Sequence, residues 1–276
     1  MNRALSLILC VAVVLAPLAA GAEDGSTGLA FLKLGAGARA IGMGDAYVAV
    51  GGDASCIYWN PAGCADVENI DVVLMHSEWF QGIRYEYAGG VRSDCTQAYG
   101  LGIVGLYMDD LDRRGEDPTA ESLGTFGVFD FAFSGVYARR LTDALTVGAT
   151  GKYLHSKIDD ELARGFAVDF GAQYETPVLE GLTAGLAIQN LGPQMKYIED
   201  EFDLPVMYRL GAAYGRSIES LSGELLFVAD VIVPNDGDTK LHAGMEFEYG
   251  GVLAGRIGYR SGWDNQNISV GLGAKV

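Results

Sequence analysis

Histidine and serine stand side by side twice in this sequence, at His76-Ser77 and His155-Ser156, and a third histidine, His242, stands apart from any serine. A serine hydrolase needs the imidazole within hydrogen-bond reach of the hydroxyl, with a third group orienting it. Successive residues of a strand point to opposite faces, so in extended chain neither pair makes a dyad. The stretch Gly35-Ala36-Gly37-Ala38-Arg39-Ala40 has the spacing G-x-G-x-x-A of a dinucleotide loop. It lacks the preceding strand and the βαβ unit that would aim it at a pyrophosphate. Cys56, Cys64 and Cys95 show neither a C-x-x-C pair nor Cys/His spacing for zinc. The reading is of a non-enzyme with no catalytic, cofactor or metal residues.

Composition narrows the partners. The chain carries 19 Lys+Arg against 36 Asp+Glu, a net charge of −17, and such a field repels phosphate backbones, which excludes nucleic acid. Acidic groups cluster at Asp109-Asp110, Glu116-Asp117, Asp159-Asp160-Glu161 and Glu199-Asp200-Glu201 and read as solvated loops. A divalent-cation bridge to lipopolysaccharide is the sharper alternative for them. Cys56 and Cys64 are close enough in sequence to form a disulfide in an oxidising periplasm.

The elements that must position these residues begin with a leader. Asn2-Arg3 is positive, Leu5 to Leu18 is nearly all apolar, and Ala20-Gly21-Ala22 has the small-x-small cleavage pattern. Residues 1–22 therefore read as a signal peptide, too short for a permanent bilayer helix of roughly 20 residues. Hydrophobic residues make up 49% of the chain, with 39 Gly and 14 Tyr. From Ile70 onward the pattern is repeated two-residue alternation separated by turn residues. In 165–174, Phe166, Val168, Phe170, Ala172 and Tyr174 oppose Gly165, Ala167, Asp169, Gly171 and Gln173. In 241–249, Leu241, Ala243, Met245, Phe247 and Tyr249 oppose His242, Gly244, Glu246 and Glu248.

About twelve such segments, from 70–78 to 267–276, predict an all-β transmembrane antiparallel barrel over 68–276, with lipid covering the apolar face. Charges on the other face (Asp130, Lys152, Asp169, Arg209, Arg256, Lys275) predict a wet lumen. Aromatics near segment ends (Trp79, Tyr107, Tyr137, Tyr153, Tyr174, Tyr214, Tyr259) predict interfacial girdles. A soluble all-β periplasmic protein, burying its apolar face against a second sheet, is the alternative. Residues 23–67 lack the alternation and read as a plug or hatch inside the barrel. Ala36–Val50 predicts a short helix ended by Gly51-Gly52, and Trp59-Asn60-Pro61 a rigid turn delivering the plug to the wall.

The stretch Gly35–Ala65 also carries a resemblance. Gly37-Ala38-Arg39-Ala40, Gly42-Met43-Gly44, Asp45-Ala46-Tyr47-Val48-Ala49, Asp53-Ala54 and Trp59-Asn60-Pro61-Ala62-Gly63 closely resemble the PorV/PorQ family of outer-membrane proteins. That family is itself similar to the FadL-type fatty-acid transporters. His76–Phe80, Gly82–Tyr87 and Arg256–Arg260 look like the family too. The resemblance implies a FadL-like barrel, usually of about fourteen strands, with the N-terminal segment as an internal hatch. Its implied hatch-motif residues are Gly37, Arg39, Gly42, Met43, Gly44, Asp53, Trp59, Asn60 and Pro61. It implies an outer-membrane location, with outer-membrane lipid as one partner. Its further implied partners are hydrophobic small molecules or fatty acids, which pass when the hatch shifts. For a PorV-type component of type IX secretion they are secreted cargo proteins instead. The sequence ends at Val276 without the terminal aromatic usual in such barrels, so a C-terminal truncation is expected.

Overall fold

The computed structural model describes residues 25–109, 111–115, 122–262 and 267–275. The expected leader, residues 1–22, lies outside them, as do Asp110, Glu116 and Asp117. Among the described residues twelve strands form one antiparallel sheet in simple sequence order. They are β1 (Ile70–Glu78), β2 (Ile83–Ser93), β3 (Gln97–Met108), β4 (Val128–Arg140), β5 (Leu145–Ile158) and β6 (Glu161–Glu175). The order continues with β7 (Leu182–Leu191), β8 (Met207–Ile218), β9 (Gly223–Pro234), β10 (Lys240–Tyr249), β11 (Leu253–Arg260) and β12 (Ile268–Ala274). These are the segments that alternation marks, shifted at their ends by a residue or two. The roughly fourteen strands implied by the resemblance compare with twelve in this sheet among the described residues.

Burial along the strands is inverted relative to a water-soluble sheet. On β6, Phe166, Val168 and Phe170 are 65%, 42% and 51% exposed, whereas Asp169 and Gln173 are buried. On β10, Leu241 and Tyr249 are exposed while His242 and Glu246 are buried. The same holds for β12, where Ile268, Val270 and Leu272 all face out. A soluble protein rarely leaves so large an apolar area open. A barrel whose outer face meets lipid has this polarity.

The inner face is covered by residues 25–67 and is not a wet lumen. Lys152, Asp169 and Arg209 are each no more than 5% exposed. Lys275 differs, being exposed and paired with Glu248. The segment enters beside the longer connections, where Gly28 N–H donates to Asp203 O at 3.1 Å and Lys33 pairs with Asp236 at 2.7 Å. It leaves beside the short turns, where Ser93 Oγ donates to Ala65 O at 3.0 Å. Connections of the first end are not uniformly long, since only Asp159-Asp160 join β5 to β6.

The short helix expected within Ala36–Val50 is present but ends at Gly42, well before Gly51-Gly52. α1 spans Ala38–Gly42, and Gly44 (φ 70) and Asp45 (φ 61) then turn the chain. The reason is steric: a Cβ on Gly258 would stand 2.0 Å from Gly44 N, and one on Gly244 2.2 Å from Met43 O. Backbone lies directly on the wall there, and a continued helix with side chains all round would not fit. A second short helix, α2 (Cys56–Trp59), leads into a 3-10 turn, Pro61–Asp66.

The exposed apolar face generates a prediction. In lipid bilayers Phe170→Arg, near the middle of β6, should destabilise the folded barrel by about 2–4 kcal/mol. The same change in a protein with a water-facing surface would be near neutral. Loss of the compact, heat-modifiable band on a denaturing gel is the readout.

Candidate functional site

The contact between residues 25–67 and the inner wall gathers much of the buried polar chemistry of the described residues. Asn60 lies at its centre. Proline at 61 keeps Asn60 extended (φ −156, ψ 108), and its side chain caps the 3-10 turn by accepting from Ala62 N–H at 3.1 Å. The same amide donates to Val48 O at 2.6 Å and to Ala172 O on β6 at 3.2 Å. Two wall glycines make room. A Cβ on Gly171 would fall 1.9 Å from Asn60 Oδ1, and one on Gly148 would fall 2.6 Å from the Pro61 carbonyl carbon.

Trp59 is 1% exposed, and its Nε1 donates to Ala36 O at 2.7 Å. The Arg209 guanidinium sits 4.9 Å from its ring centroid, a cation–π contact from β8. Gln189 holds Arg209 Nε at 2.7 Å and donates to Tyr58 O at 2.5 Å. Trp59-Asn60-Pro61 is thus an anchor on four neighbouring strands, β5 to β8, sharper than the simple turn that the sequence suggests.

Arg39 leads a second cluster. Its Nη2 meets Glu246 of β10 at 2.7 Å, and its Nη1 lies 3.2 Å from Tyr47 Oη and 3.4 Å from Asp53. Arg256 of β11 binds the other Glu246 oxygen, and Tyr47 Oη donates to Asp53. Burial works against the Arg39 charge, yet Tyr47, Glu246 and Asp53 together raise its pKa above the ordinary guanidinium value. The Arg39 side chain stays 34% exposed and floors a recess of about 650 Å3 at the short-turn end, beside Arg216, Glu224 and Glu248.

Two further contacts complete the seating. Asp230 of β9 accepts from Tyr47 N–H at 2.8 Å and Val48 N–H at 3.1 Å. Asp45 pairs with Arg260 of β11 at 2.7 Å, though burial still raises the Asp45 carboxyl.

The structure therefore joins Arg39 to Asp53 and Trp59 to Asn60 and Pro61. Gly42, Met43 and Gly44 seat against β10, β11 and β12, where Ser269 Oγ donates to Gly42 O at 3.4 Å. Gly37 reaches the other edge of the sheet, its N–H donating to Met75 Sδ of β1 at 3.2 Å. Cys56 and Cys64 are free thiols in place of the expected disulfide. Cys56 Sγ instead donates to Val50 O at 3.6 Å, and burial pushes both thiols up in pKa, which leaves them unreactive.

The adjacent His-Ser pairs divide between faces. His76 meets Glu86 at 2.7 Å on the outer face, while Ser77 accepts from Trp79 Nε1 at 3.0 Å. The residues that sequence reasoning missed are the wall acceptors and donors Asp230, Gln173, Gln189 and Glu246. Their only signal was polarity on the side of each strand opposite its apolar residues.

Comparison with known proteins follows this geometry. The model of an uncharacterised protein family, UPF0164, matches residues 16–160. No curated protein matches the chain. Among solved structures, the toluene transporter TbuX of Ralstonia pickettii aligns with TM-score 0.54 and 12% identity, over 86% of this chain and 88% of that one. The toluene transporter TodX of Pseudomonas putida aligns with TM-score 0.56 and 11% identity, over 82% of this chain and 83% of that one. At such identities the likeness shows the fold, a FadL-like β-barrel.

Two outcomes check the seating. Gly171→Ala should destabilise the folded chain by about 1–3 kcal/mol through overpacking against Asn60. Gly151→Ala, whose Cβ meets nothing within 4 Å, should stay within about 0.5 kcal/mol of wild type. Chemical unfolding in detergent or lipid compares them. Glu246→Ala leaves Arg39 and Arg256 facing each other. A fully buried pair would lose about 3–5 kcal/mol; with Arg39 one-third exposed, roughly 2 kcal/mol is expected, and Arg39→Met in the same chain should recover part of it.

Proposed function

This chain belongs to the uncharacterised protein family UPF0164, and from that membership and its fold we propose an outer-membrane barrel that passes hydrophobic molecules when its N-terminal hatch shifts. On this reading residues 1–22 are a removed signal peptide, 23–67 are the hatch, and 68–276 form the barrel wall. One observation carries the proposal: an interior that should be an open path is filled by a segment held by side chains and not by strands. Ion pairs and single hydrogen bonds can be exchanged for water one at a time, whereas a strand paired along its length cannot. Arg39–Glu246, which lines the short-turn recess, and Arg140–Asp66 are the latches most open to solvent. The solved neighbours are toluene transporters by name, which supports an apolar solute. No catalytic role is assigned to any residue.

A PorV-type role as a non-enzymatic carrier of secreted cargo is the second reading. The motif at Gly37–Ala65 favours it, through its likeness to the PorV/PorQ family. The two readings part on whether small apolar solutes cross the purified barrel.

Gly42 and Gly271 allow a direct test, because a Cβ on either lies within 3.3 Å of the other's Cα. A Gly42→Cys/Gly271→Cys pair in a Cys95→Ser background should lock the hatch to β12 when oxidised. Liposomes carrying the oxidised pair should take up labelled fatty acid or toluene no faster than empty liposomes, and reductant should restore uptake. Undiminished uptake in the oxidised state would remove hatch movement from the mechanism. No uptake by the cysteine-free-pair parent would remove transport itself.

A further inference from the structure

The outer face is apolar along most strands, but β5 and β6 break the pattern together. Read toward the longer connections, the outward side of β5 runs Leu145, Val147, Ala149, Gly151, Tyr153 and then His155 and Lys157. That of β6, read the same way, runs Tyr174, Ala172, Phe170, Val168, Phe166 and then Arg164. Tyr153 and Phe166 touch across the strands, ring centroids 5.5 Å apart, so one aromatic pair ends both apolar runs. His155 lies directly opposite Arg164 in the ladder, and Lys157 opposite Leu162. Lys157 and Arg164 are exposed, and neither has an ion-pair partner among the described residues. In a chain of net charge −17 this is unusual. By contrast Arg84, near the same end of β2, is neutralised by Asp109 at 3.0 Å.

The cations adjoin an apolar cleft. His155 stacks on Phe131 with centroids 4.7 Å apart, and Phe129 pairs with Lys157 across the ladder. Phe129 and Phe131 line one side of a cleft of about 530 Å3 on the outer surface of β1–β4, whose other lining residues include Leu74, Ala88 and Ile103 together with His76, Glu86 and Tyr107. Such a volume suits an acyl chain. A largely apolar slot beside an aromatic band, flanked by cations without an ion-pair partner where a membrane's headgroups begin, suits a phosphorylated lipid.

We propose that the outer surface of β1–β6, with Lys157, Arg164 and His155 beside the Phe129–Phe131 wall of the cleft, binds a phosphorylated lipid of the outer leaflet. The phosphate contacts Lys157 and Arg164, and an acyl chain lies along the phenylalanines. Charge complementarity selects this occupant over a second copy of the chain, whose acidic loops would add no apolar tail. The inference rests on the outer-membrane reading above but not on transport, so a barrel that binds lipid and passes no solute would overturn transport alone.

The test uses the full chain in maltoside micelles, with binding followed by native mass spectrometry. Its probes are diphosphoryl lipid A, the same lipid with both phosphates removed, and inorganic phosphate. Wild type should bind the diphosphoryl lipid at least tenfold more tightly than the dephosphorylated one, and inorganic phosphate only weakly. Lys157→Gln/Arg164→Gln should abolish that preference and keep its heat-modifiable folded band; Lys157→Arg/Arg164→Lys should retain it. Arg139→Ala, an exposed cation at the opposite end of β4, should change nothing. Equal binding of the two lipids by wild type, or an unchanged preference in the double glutamine variant, would overturn the proposal. Inorganic phosphate binding as tightly as the lipid would overturn it too, by showing a free-anion site.

Discussion

A segment with little helix and no strand of its own must still satisfy its buried amides and carbonyls, and the barrel wall is built around that need. Tyr47 and Val48 N–H are met by Asp230, Val48 and Val50 O by Gln173, Tyr58 and Trp59 O by Gln189, and Ala54 O by Tyr87. Leu34 O receives Tyr85, and Ala65 O receives Ser93. Each unmet group would cost on the order of 1–3 kcal/mol in this buried setting. The inner face therefore spends its polar residues on hatch backbone and leaves its smallest ones where that backbone comes closest.

The same arrangement separates two tasks along each strand. Outward positions are mostly apolar and point away from the hatch, so they answer to whatever covers the sheet. Inward positions alternate between long polar side chains that reach the hatch and glycines that admit it. Gly171 beside Gln173 on β6, and Gly244 beside Glu246 on β10, show both devices two residues apart. A hatch held in this way is ordered yet lacks the ladder that would make it part of the wall. Its release would exchange side-chain contacts for water and leave the strands paired.

Much of this was legible in the sequence. Two-residue alternation located all twelve strands, because a sheet with one face fully apolar repeats its signal on every strand. The segment that covers the inner face was legible as the stretch where alternation is missing and small residues gather, and Asn60-Pro61 as its turn. The lumen was misread: charges such as Asp169 and Lys152 suggested water, since a sequence shows polarity but not which partner meets it. The end of the short helix within Ala36–Val50 was misplaced for a related reason. Alanine favours helix locally, but the approach of Met43 and Gly44 to Gly244 and Gly258 is a contact across some 200 residues that no local propensity carries. The pairing of Arg39 with Glu246 was hidden in the same way, each residue being plain on its own strand or loop.

The central claim is that residues 25–67 can leave their seats on the wall while the strands remain paired. Amide hydrogen exchange of the full chain in lipid measures this residue by residue. The account predicts that Tyr47, Val48 and the amides around Asn60 exchange through a local opening, at free energies below that of the β5 and β6 amides. It also predicts that a dissolved hydrophobic solute hastens that opening. Exchange of hatch and strand amides at one common free energy, unmoved by solute, would contradict it and make residues 25–67 a permanent core.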